Sequence, residues 1–233
     1  MSPFNQISLR IGLTPESDCN YLPGQTEQLG VVMDHHWFTP AGYGVLLASG
    51  YRRSGSALYK PMCQQCQACT PLRIDCMAFT PSKSQKRQLN QMKQFRWEFK
   101  PTLDDNWFAL YERYIRERHA GGSMYPANKA QFFEFCTAPW MKTLFLHVYD
   151  GDTLIAVAVT DVFDEALSAV YSFFDPETTL SLGTLCVLYQ ILYCQQTGRE
   201  WLYPGYQIDE CPAMNYKTRF QPHQKLRDNT WRS

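Results

Sequence analysis

Residues 142–206 read KTLFLHVYDGDTLIAVAVTDVFDEALSAVYSFFDPETTLSLGTLCVLYQILYCQQTGREWLYPGY, and they indicate the architecture more clearly than any other part of the chain. β-Branched and aromatic residues between short polar turns predict three successive strands, at residues 142–149, 153–163 and 166–174. An apolar run then predicts a helix over 185–196 that ends at Gly198, and a fourth strand follows over 201–206. This order predicts an α+β fold in which an antiparallel meander leads into a helix.

The turn before that helix, Ser181-Leu182-Gly183, gives the first indication of function. A meander that delivers the chain into a helix N-terminus resembles the fold of the GCN5-related N-acetyltransferases. The resemblance implies a mixed, mainly antiparallel sheet flanked by helices, in which backbone N–H groups at this turn and helix start hold the acyl donor. Taken alone, Ser181 is equally suited to capping the helix, and Gly183 to relieving crowding.

The composition of the chain suggests two regions. Residues 1–75 form a cysteine-containing N-terminal region that is rich in Gly and Pro, and they predict loops with short elements. Residues 76–233 hold the acyltransferase-like domain, and the two regions are expected to pack as one unit. Further helices are predicted over 81–95, from Asp104 or Asp105 to residue 119, and over 128–136.

The overall composition predicts a soluble globular protein, with 45% hydrophobic and 19% charged residues. No uninterrupted apolar run is long enough to span a bilayer, and the N-terminal stretch MSPFNQISLR does not have the pattern of a signal peptide. We therefore expect a cytoplasmic protein without a membrane partner. In that compartment the nine cysteines are expected to be thiols or metal ligands, not disulfides.

Three of these cysteines, Cys63, Cys66 and Cys69, form a C-x2-C-x2-C array. Three thiolates leave a tetrahedral zinc ion or a cubane iron–sulfur cluster one ligand short. The spacing alone therefore leaves two alternatives equally open, metal binding and packing as small apolar thiols.

Seven motifs together resemble a known family. They are CNYLPG (19–24), GYRRSG (50–55), CQQCQACTPLR (63–73), RHAGGSM (118–124), YSFFDP (171–176), SLGT (181–184) and MNYK (214–217). In this order and spacing they resemble the bacterial aspartate/glutamate leucyltransferases, relatives of the eukaryotic arginyl-tRNA–protein transferases. The resemblance runs from about residue 19 to the end of the chain. Pro204, Gln207 and Ala213 depart from the usual pattern of this family.

The resemblance implies transfer of leucine from leucyl-tRNA to the α-amino group of proteins with N-terminal Asp or Glu, which marks them for N-degron degradation. The alternatives are arginyl transfer to the same acceptors and coenzyme A-dependent N-acetylation. Aminolysis of an activated ester needs alignment, oxyanion binding and management of one proton, so no cofactor is required for the transfer. The related arginyltransferases hold a metal or iron–sulfur centre in a comparable region, which implies Cys19 as a fourth ligand.

Recognition of an acidic N-terminus calls for a cation, and the planar fork of arginine pairs bidentately with a carboxylate. Arg52 and Arg53, in a loop framed by Gly and Ser, are the best candidates. Phosphate contact and a structural role remain the alternatives for both. Lys217 is expected to contact tRNA phosphate.

The catalytic candidates lie near the donor turn. Asp175 could hold the acceptor ammonium or take its proton, or it could cap the following Asp-Pro turn. Tyr171 and Tyr206 could each donate a hydrogen bond near the reacting ester, or pack as aromatics with satisfied hydroxyl groups. His119, beside Arg118 at a helix end, is a weaker candidate for a base.

The net charge of zero hides two basic stretches. One stretch contains Lys83, Lys86, Arg87, Lys93, Arg96 and Lys100. The other contains Lys217, Arg219, Lys225, Arg227 and Arg232. If the two stretches meet in space, they offer a phosphate-binding surface for tRNA; the alternative is an ordinary solvated face.

Overall fold

A computed structural model describes residues 9–233. Residues 1–8, which make up most of the N-terminal stretch MSPFNQISLR, lie outside the described range, and so does most of the prediction about a signal peptide. The strands are β1 Ile11–Leu13, β2 Ser17–Asp18, β3 Thr26–Glu27, β4 Leu29–Val32, β5 Arg52–Ser54, β6 Ala57–Pro61, β7 Thr70–Asp75, β8 Arg96–Lys100, β9 Thr143–Asp150, β10 Thr153–Val162, β11 Ala166–Phe174, β12 Trp201–Gln207, β13 His223–Arg227 and β14 Thr230–Arg232. The α-helices are α1 Pro40–Ala48, α2 Lys83–Met92, α3 Trp107–Arg118, α4 Lys129–Cys136, α5 Leu182–Thr197 and α6 Pro212–Asn215. Short 3-10 turns cover His35–Trp37 and Tyr216–Arg219.

The centre of the fold is an eight-stranded sheet in the order β14-β13-β7-β12-β11-β10-β9-β8. Its neighbouring strands are antiparallel except for β11 and β12, which run parallel. The predicted α+β class and the mainly antiparallel sheet are therefore confirmed. The single parallel pair arises because α5 carries the chain from the end of β11 back to the start of β12.

Helices cover both faces of this sheet, as the alternation of apolar residues in β10 requires. Ala158 and Val162 face α5 and α2, and they belong to one large core cluster. Val157 and Val159 face the opposite side, where the aromatic residues of α3 and α4 form a second cluster. A strand with apolar residues on both faces is what a sheet between two helical layers needs.

The N-terminal region has more regular structure than the predicted loops with short elements. It contains the four-stranded antiparallel sheet β1-β4-β6-β5, the short pair β2-β3 and the helix α1. Thr39 caps α1 by accepting the Gly42 N–H, and Pro40 occupies the first turn, where its missing N–H is not needed. The strand β7 belongs to the large sheet, between β12 and β13.

The predicted elements of residues 142–206 are confirmed. Gly198 ends α5 in the left-handed conformation, with φ 71°. The N-cap of α3 is Asn106, whereas the sequence analysis expected Asp104 or Asp105; the carboxylate of Asp104 instead accepts the N–H of Asn106 and the hydroxyl of Tyr149. Within residues 9–233, no helix is long and apolar enough to cross a membrane.

Candidate active site

The two parallel strands β11 and β12 are paired only at their beginnings. The pairing ends with Ser168 opposite Tyr203, and beyond that point the strands separate. A cavity of about 370 Å³ occupies the gap. We call it the cleft; its walls are the unpaired part of β11, Pro204 of β12, the first half of α5, the end of α3, the α6 region and Tyr21. A site at the point where paired strands diverge is a frequent position for ligand binding in sheets of this kind.

The three residues of the predicted donor turn lie in three different environments. Gly183 lines the cleft, and a Cβ atom at this position would touch the ring of Phe174 at 3.4 Å. Ser181 is the N-cap residue of α5, makes no side-chain capping bond and lines a neighbouring cavity of about 140 Å³. Leu182 is buried in the core beneath the helix. Gly183 is therefore the member of the turn that a ligand in the cleft would meet.

Arg52 lies at the point where the strands separate. Its guanidinium donates to the carbonyl of Tyr203 on β12, at 3.2 Å, and to the carbonyl of Ala169 on β11. Tyr203 is the last paired residue of β12, and Ala169 follows the last paired residue of β11, so Arg52 bridges the two strands where their ladder of hydrogen bonds ends. Its side chain is almost entirely buried.

Arg53 does not face a substrate, which corrects the prediction that groups it with Arg52. Its guanidinium forms a bidentate pair with the carboxylate of Asp161 on β10 and also donates to the carbonyl of Cys136. The side chains of Arg53 and Asp161 have no exposed surface. This is the structural alternative, because a guanidinium with these partners and no accessible surface cannot reach a ligand.

Lys217 is also placed differently from its prediction. The residue is 7% exposed and lines the cleft, so it does not belong to the outer surface that a tRNA backbone would contact. The Nζ atom donates to the carbonyl of Tyr206, at 2.6 Å, and lies 3.4 Å from Sδ of Met214. Burial, followed by the nearby charge of Arg52, lowers the pKa of Lys217 from its ordinary value to about 7. Lys217 lines the cleft.

The two candidate tyrosines differ in the state of their hydroxyl groups. The hydroxyl of Tyr171 is buried against the cleft and has no hydrogen-bond partner among residues 9–233. The hydroxyl of Tyr206 donates to the carbonyl of Gly50 at 2.8 Å, so it matches the packed alternative. Burial raises the pKa of both groups, which keeps both hydroxyls protonated and able to donate.

Asp175 follows directly after β11, outside the residues that line the cleft. One carboxylate oxygen accepts the N–H of Glu177, and the other pairs with Arg113 at 3.2 Å. Both contacts support the turn-capping alternative.

Several residues that line the cleft have no counterpart in the sequence predictions. Tyr21 comes from the N-terminal region, Gln190 from α5, and Tyr114 from α3, where it contacts Nε2 of His119 at 3.2 Å. Burial lowers the pKa of His119. Beside the cleft, Gly205 is a further residue that the sequence predictions missed. It carries a usable signal, because a glycine inside a strand often marks an irregularity. Its φ is +102°, next to a break in the β12–β7 register.

The four cysteines proposed as ligands lie around one cavity of about 330 Å³. All four, Cys19, Cys63, Cys66 and Cys69, are half-buried free thiols. Burial and the other three thiols raise the pKa of Cys69 to about 12. Within residues 9–233, however, no three His, Cys, Asp or Glu side chains converge closely enough to hold a metal ion. As placed, the thiols do not fit a closed metal centre.

The two basic stretches meet only in part, at α2 and Arg219. Arg96 and Lys100 lie on β8 at one edge of the large sheet, whereas the last three residues of the second stretch lie on β13 and β14 at the opposite edge. The side-chain amide of Gln85 on α2 donates to the carbonyl of Arg219, at 3.2 Å. Lys83, Lys86 and Arg87 are exposed on the same helix, as is Arg219 beside it. Lys217 is not part of this exposed surface because it is buried.

Comparison with known families accounts for both regions of the chain. Residues 17–87 match the family described as arginine-tRNA-protein transferase, N terminus, and residues 106–227 match arginine-tRNA-protein transferase, C terminus. The second match alone covers more than half of the chain and includes the cleft, α5 and Lys217.

Full-length relatives are more specific. The aspartate/glutamate leucyltransferase of Vibrio cholerae serotype O1 is 54% identical over 225 residues, which cover 96% of this chain and 97% of that protein. The enzyme of the same name from Vibrio campbellii is 55% identical over 224 residues, with 96% of each chain covered. This chain belongs to the aspartate/glutamate leucyltransferase family. As a member of the aspartate/glutamate leucyltransferases, it is an aminoacyltransferase.

Two solved structures show a distant likeness to this leucyltransferase. L-PGS from Bacillus licheniformis is 10% identical with a TM-score of 0.47, and the match covers 72% of this chain and 49% of that one. A C-terminal domain assigned to lysylphosphatidylglycerol synthetases, from Agrobacterium fabrum, is 10% identical with a TM-score of 0.48, covering 83% and 71%.

Proposed function

We propose that this enzyme transfers leucine from leucyl-tRNA to the α-amino group of proteins that begin with Asp or Glu. The observation that carries the proposal is the 54% identity over 96% of the chain to an aspartate/glutamate leucyltransferase. The cleft supports it, because a cavity of about 370 Å³ whose lining includes Cys186 and Val187 of α5 has room for a leucyl ester. Such transfer would mark the acceptors for N-degron degradation, and the need for charged tRNA places the reaction in the cytoplasm.

The proposed reaction is aminolysis of the aminoacyl ester. The neutral α-amino nitrogen attacks the ester carbonyl carbon, the new C–N bond forms, and the C–O bond to the terminal ribose breaks. The proton lost by the amine is gained by the departing ribose oxygen. Tyr171 has the free, protonated hydroxyl in the cleft and would donate to the oxyanion. The proposed role of Asp175 in holding the acceptor ammonium would require its carboxylate to give up Arg113 and the Glu177 N–H.

The proposed donor site is that of a GCN5-related acyltransferase. Its support is the parallel pair β11–β12, which separates after three paired residues, and the start of α5 beside the gap. In this arrangement the edge of β11 beyond Ala169, whose carbonyl accepts from Arg52, has no partner on β12, so we propose that backbone groups there bind the acyl donor. Gly183 would let the donor approach the helix closely.

We also propose that the chain divides at about residue 75 into an N-terminal region and an acyltransferase-like domain.

The proposed tRNA surface is the exposed basic face of α2 together with Arg219. Phosphate contacts there would make leucyl-tRNA binding fall steeply with salt. The double variant Lys86→Glu/Arg87→Glu should raise the KM for leucyl-tRNA about 10-fold or more, whereas the KM for the acceptor peptide should not change. Lys129→Glu, on exposed α4 at the other face of the sheet, is the matched control. Equal effects of the two changes would reject this surface.

The cysteine centre remains a separate proposal and enters no step of the transfer. Zinc or an iron–sulfur cluster would require the loop that carries Cys63, Cys66 and Cys69 to draw the thiols together with Cys19. Elemental analysis of the purified protein tests it. One metal equivalent that is lost in Cys63→Ser would support a centre, and metal-free protein with full activity would argue against one.

The experiment that tests the main function is transfer of radiolabelled amino acids from charged tRNA to peptides that begin with Asp, Glu, Asn, Lys or Ala. Leucine on the Asp and Glu peptides alone is the expected result. Arginine in place of leucine would reassign the donor, and no transfer from well-charged tRNA would overturn the proposal. A parallel reaction with acetyl-coenzyme A addresses the other acyl donor.

A further inference from the structure

Two buried cations meet beside the cleft without an acidic partner. Nζ of Lys217 and Nη2 of Arg52 lie 3.5 and 3.9 Å from the point that a Cβ atom on Gly205 would occupy. Among residues 9–233, the ion pairs of the protein include neither cation. Buried charges are normally paired, because removal of a charge from water is unfavourable unless an opposite charge compensates it. The pair therefore lacks an anion.

The backbone of Gly205 leaves both cations uncovered on one side. Gly205 has φ +102° and no side chain, so no Cβ atom occupies the position that lies 3.5 Å from Nζ of Lys217 and 3.9 Å from Nη2 of Arg52. Lys217 has three N–H donors; one goes to the Tyr206 carbonyl and a second points to the weak acceptor Sδ of Met214. One strong donor remains for a ligand. Since Lys217 lines the cleft, that ligand belongs to the molecule that enters it.

We propose that Lys217 and Arg52, above the bare backbone of Gly205, bind the side-chain carboxylate of the acceptor's N-terminal Asp or Glu. The assignment rests on the proposed function, and within it Lys217 replaces Arg53 as the second cation. The assignment accounts for the rejection of acceptors whose N-terminal residue has an uncharged side chain, because only an acidic side chain supplies the missing negative charge. The narrow site and the single free donor of Lys217 suit one carboxylate better than a tRNA phosphate.

The charge balance around Lys217 agrees with this assignment. In the absence of substrate, burial and Arg52 both disfavour the charged form of the lysine. A carboxylate would favour it again, so binding of an acidic acceptor should be coupled to proton uptake. The other titratable groups near Lys217 are Cys211 and Cys69, which act in the opposite direction to Arg52.

The test compares binding of Asp-ended and Asn-ended peptides, which differ in charge but hardly in shape. Dissociation constants are measured by fluorescence anisotropy without tRNA, so no transfer takes place. The wild type should prefer the Asp peptide by ~10- to 100-fold, the range of a hydrogen bond to a charged group. Lys217→Met, which keeps the volume and removes the charge, should lose this preference and bind the Asn peptide as before.

Two further variants make the result specific. Lys217→Arg keeps the charge and should retain most of the preference for Asp. Lys60→Met is the matched control, because Lys60 is a half-buried lysine that also donates to a backbone carbonyl, that of Ser49, but does not line the cleft. It should behave like the wild type. Thermal midpoints of all variants establish that each is folded.

An unchanged Asp-to-Asn ratio in folded Lys217→Met would overturn the assignment. If both Lys217→Met and Lys217→Arg keep the ratio but lose leucyl transfer at saturating peptide, Lys217 is a proton acceptor and the carboxylate site is wrong. Failure of the wild type to transfer leucine is a different outcome. It would reject the proposed function, whereas the binding ratio would still report on the carboxylate site.

Discussion

The guanidinium of Arg53 lies against the carboxylate of Asp161, with Nη2 2.5 Å from Oδ1 and Nε 2.6 Å from Oδ2. The pair joins β5 of the N-terminal sheet to β10 of the large sheet. Thr143 on β9 adds a hydrogen bond from its hydroxyl to Asp161 Oδ1, at 2.9 Å. One buried ion pair therefore connects the two sheets and orients the strand that also carries Arg52.

Removal of one partner of this pair should destabilise the protein strongly. Asp161→Asn leaves the Arg53 charge buried without compensation, and we expect the free energy of unfolding to fall by about 3–5 kcal/mol. Urea denaturation measures it. Glu98→Gln is the control, because Glu98 pairs with Arg96 and Lys100 at the surface and such pairs contribute little. Similar losses in both variants would show that the buried pair has no special role.

The two adjacent arginines show what the sequence could and could not predict. The motif GYRRSG predicts a loop in which both arginines act together. In the structure Arg52 and Arg53 belong to the strand β5, where successive side chains point to opposite faces. Arg52 therefore reaches β11 and β12, and Arg53 reaches β10. The strand is only three residues long, too short for its period to be recognised.

The same limit applies to the site as a whole. The meander and α5 were predicted because long periodic segments are strong signals. The sequence does not predict the burial of Lys217, because that burial depends on a contact that forms only in the folded protein. In that contact Nζ lies 2.6 Å from the carbonyl oxygen of Tyr206 on β12. Long-range contacts of single polar groups leave no local pattern. The sequence shows Gly205 as a glycine inside a predicted strand, but it does not show that Lys217 and Arg52 lie beside it.

Tyr171→Phe separates catalysis from stability. The variant removes a buried hydroxyl that has no partner among residues 9–233, so the free energy of unfolding should stay the same or rise slightly. If this hydroxyl binds the oxyanion, kcat for leucyl transfer should fall ~100-fold. Rapid-quench transfer assays at saturating leucyl-tRNA and Asp peptide measure the effect. Unchanged kcat would exclude the hydroxyl from the reaction.

Tyr206→Phe is the companion change, and the opposite result is expected. Its hydroxyl donates to the carbonyl of Gly50, and the loss of that bond leaves a buried acceptor without its partner. The free energy of unfolding should decrease by about 1 kcal/mol, while kcat should remain within a few-fold of the wild type. A large loss of kcat with unchanged stability would restore Tyr206 as a catalytic candidate.

His147 should make folding stability depend on pH. Its ring is fully buried and held neutral, since Nε2 accepts the Asp104 N–H at 3.0 Å and Nδ1 contacts the Phe145 carbonyl at 3.0 Å. Burial, with a smaller contribution from Lys100, lowers its pKa below that of the unfolded chain. The unfolded chain then takes up the proton first, so stability from this group is complete above about pH 6.5 and is lost as the pH falls.

Urea denaturation between pH 5 and 8 tests this prediction. The wild type should lose stability toward pH 5, and His147→Gln should show a smaller slope. The slope does not vanish, because burial also lowers the pKa of His119 and His223. His36→Gln, at an exposed histidine, should reproduce the wild-type slope. Equal slopes in His147→Gln and the wild type would mean that the ring is protonated in the folded protein.

The reactivity of the cysteine thiols tests whether the protein holds a metal at the cysteine centre. Four of the nine cysteines are half-buried and five are buried, namely Cys76, Cys136, Cys186, Cys194 and Cys211. Native protein without a metal should therefore react with a small alkylating reagent at four thiols, and at all nine after unfolding. Cys69 should be the slowest of the four, because its raised pKa leaves less thiolate. Intact-mass spectrometry counts them. A bound metal would instead protect Cys19, Cys63, Cys66 and Cys69 until a chelator is added, because a ligating thiolate is not free to react. Four thiols that react in the native protein, with no effect of chelator, would establish that this region holds reduced thiols.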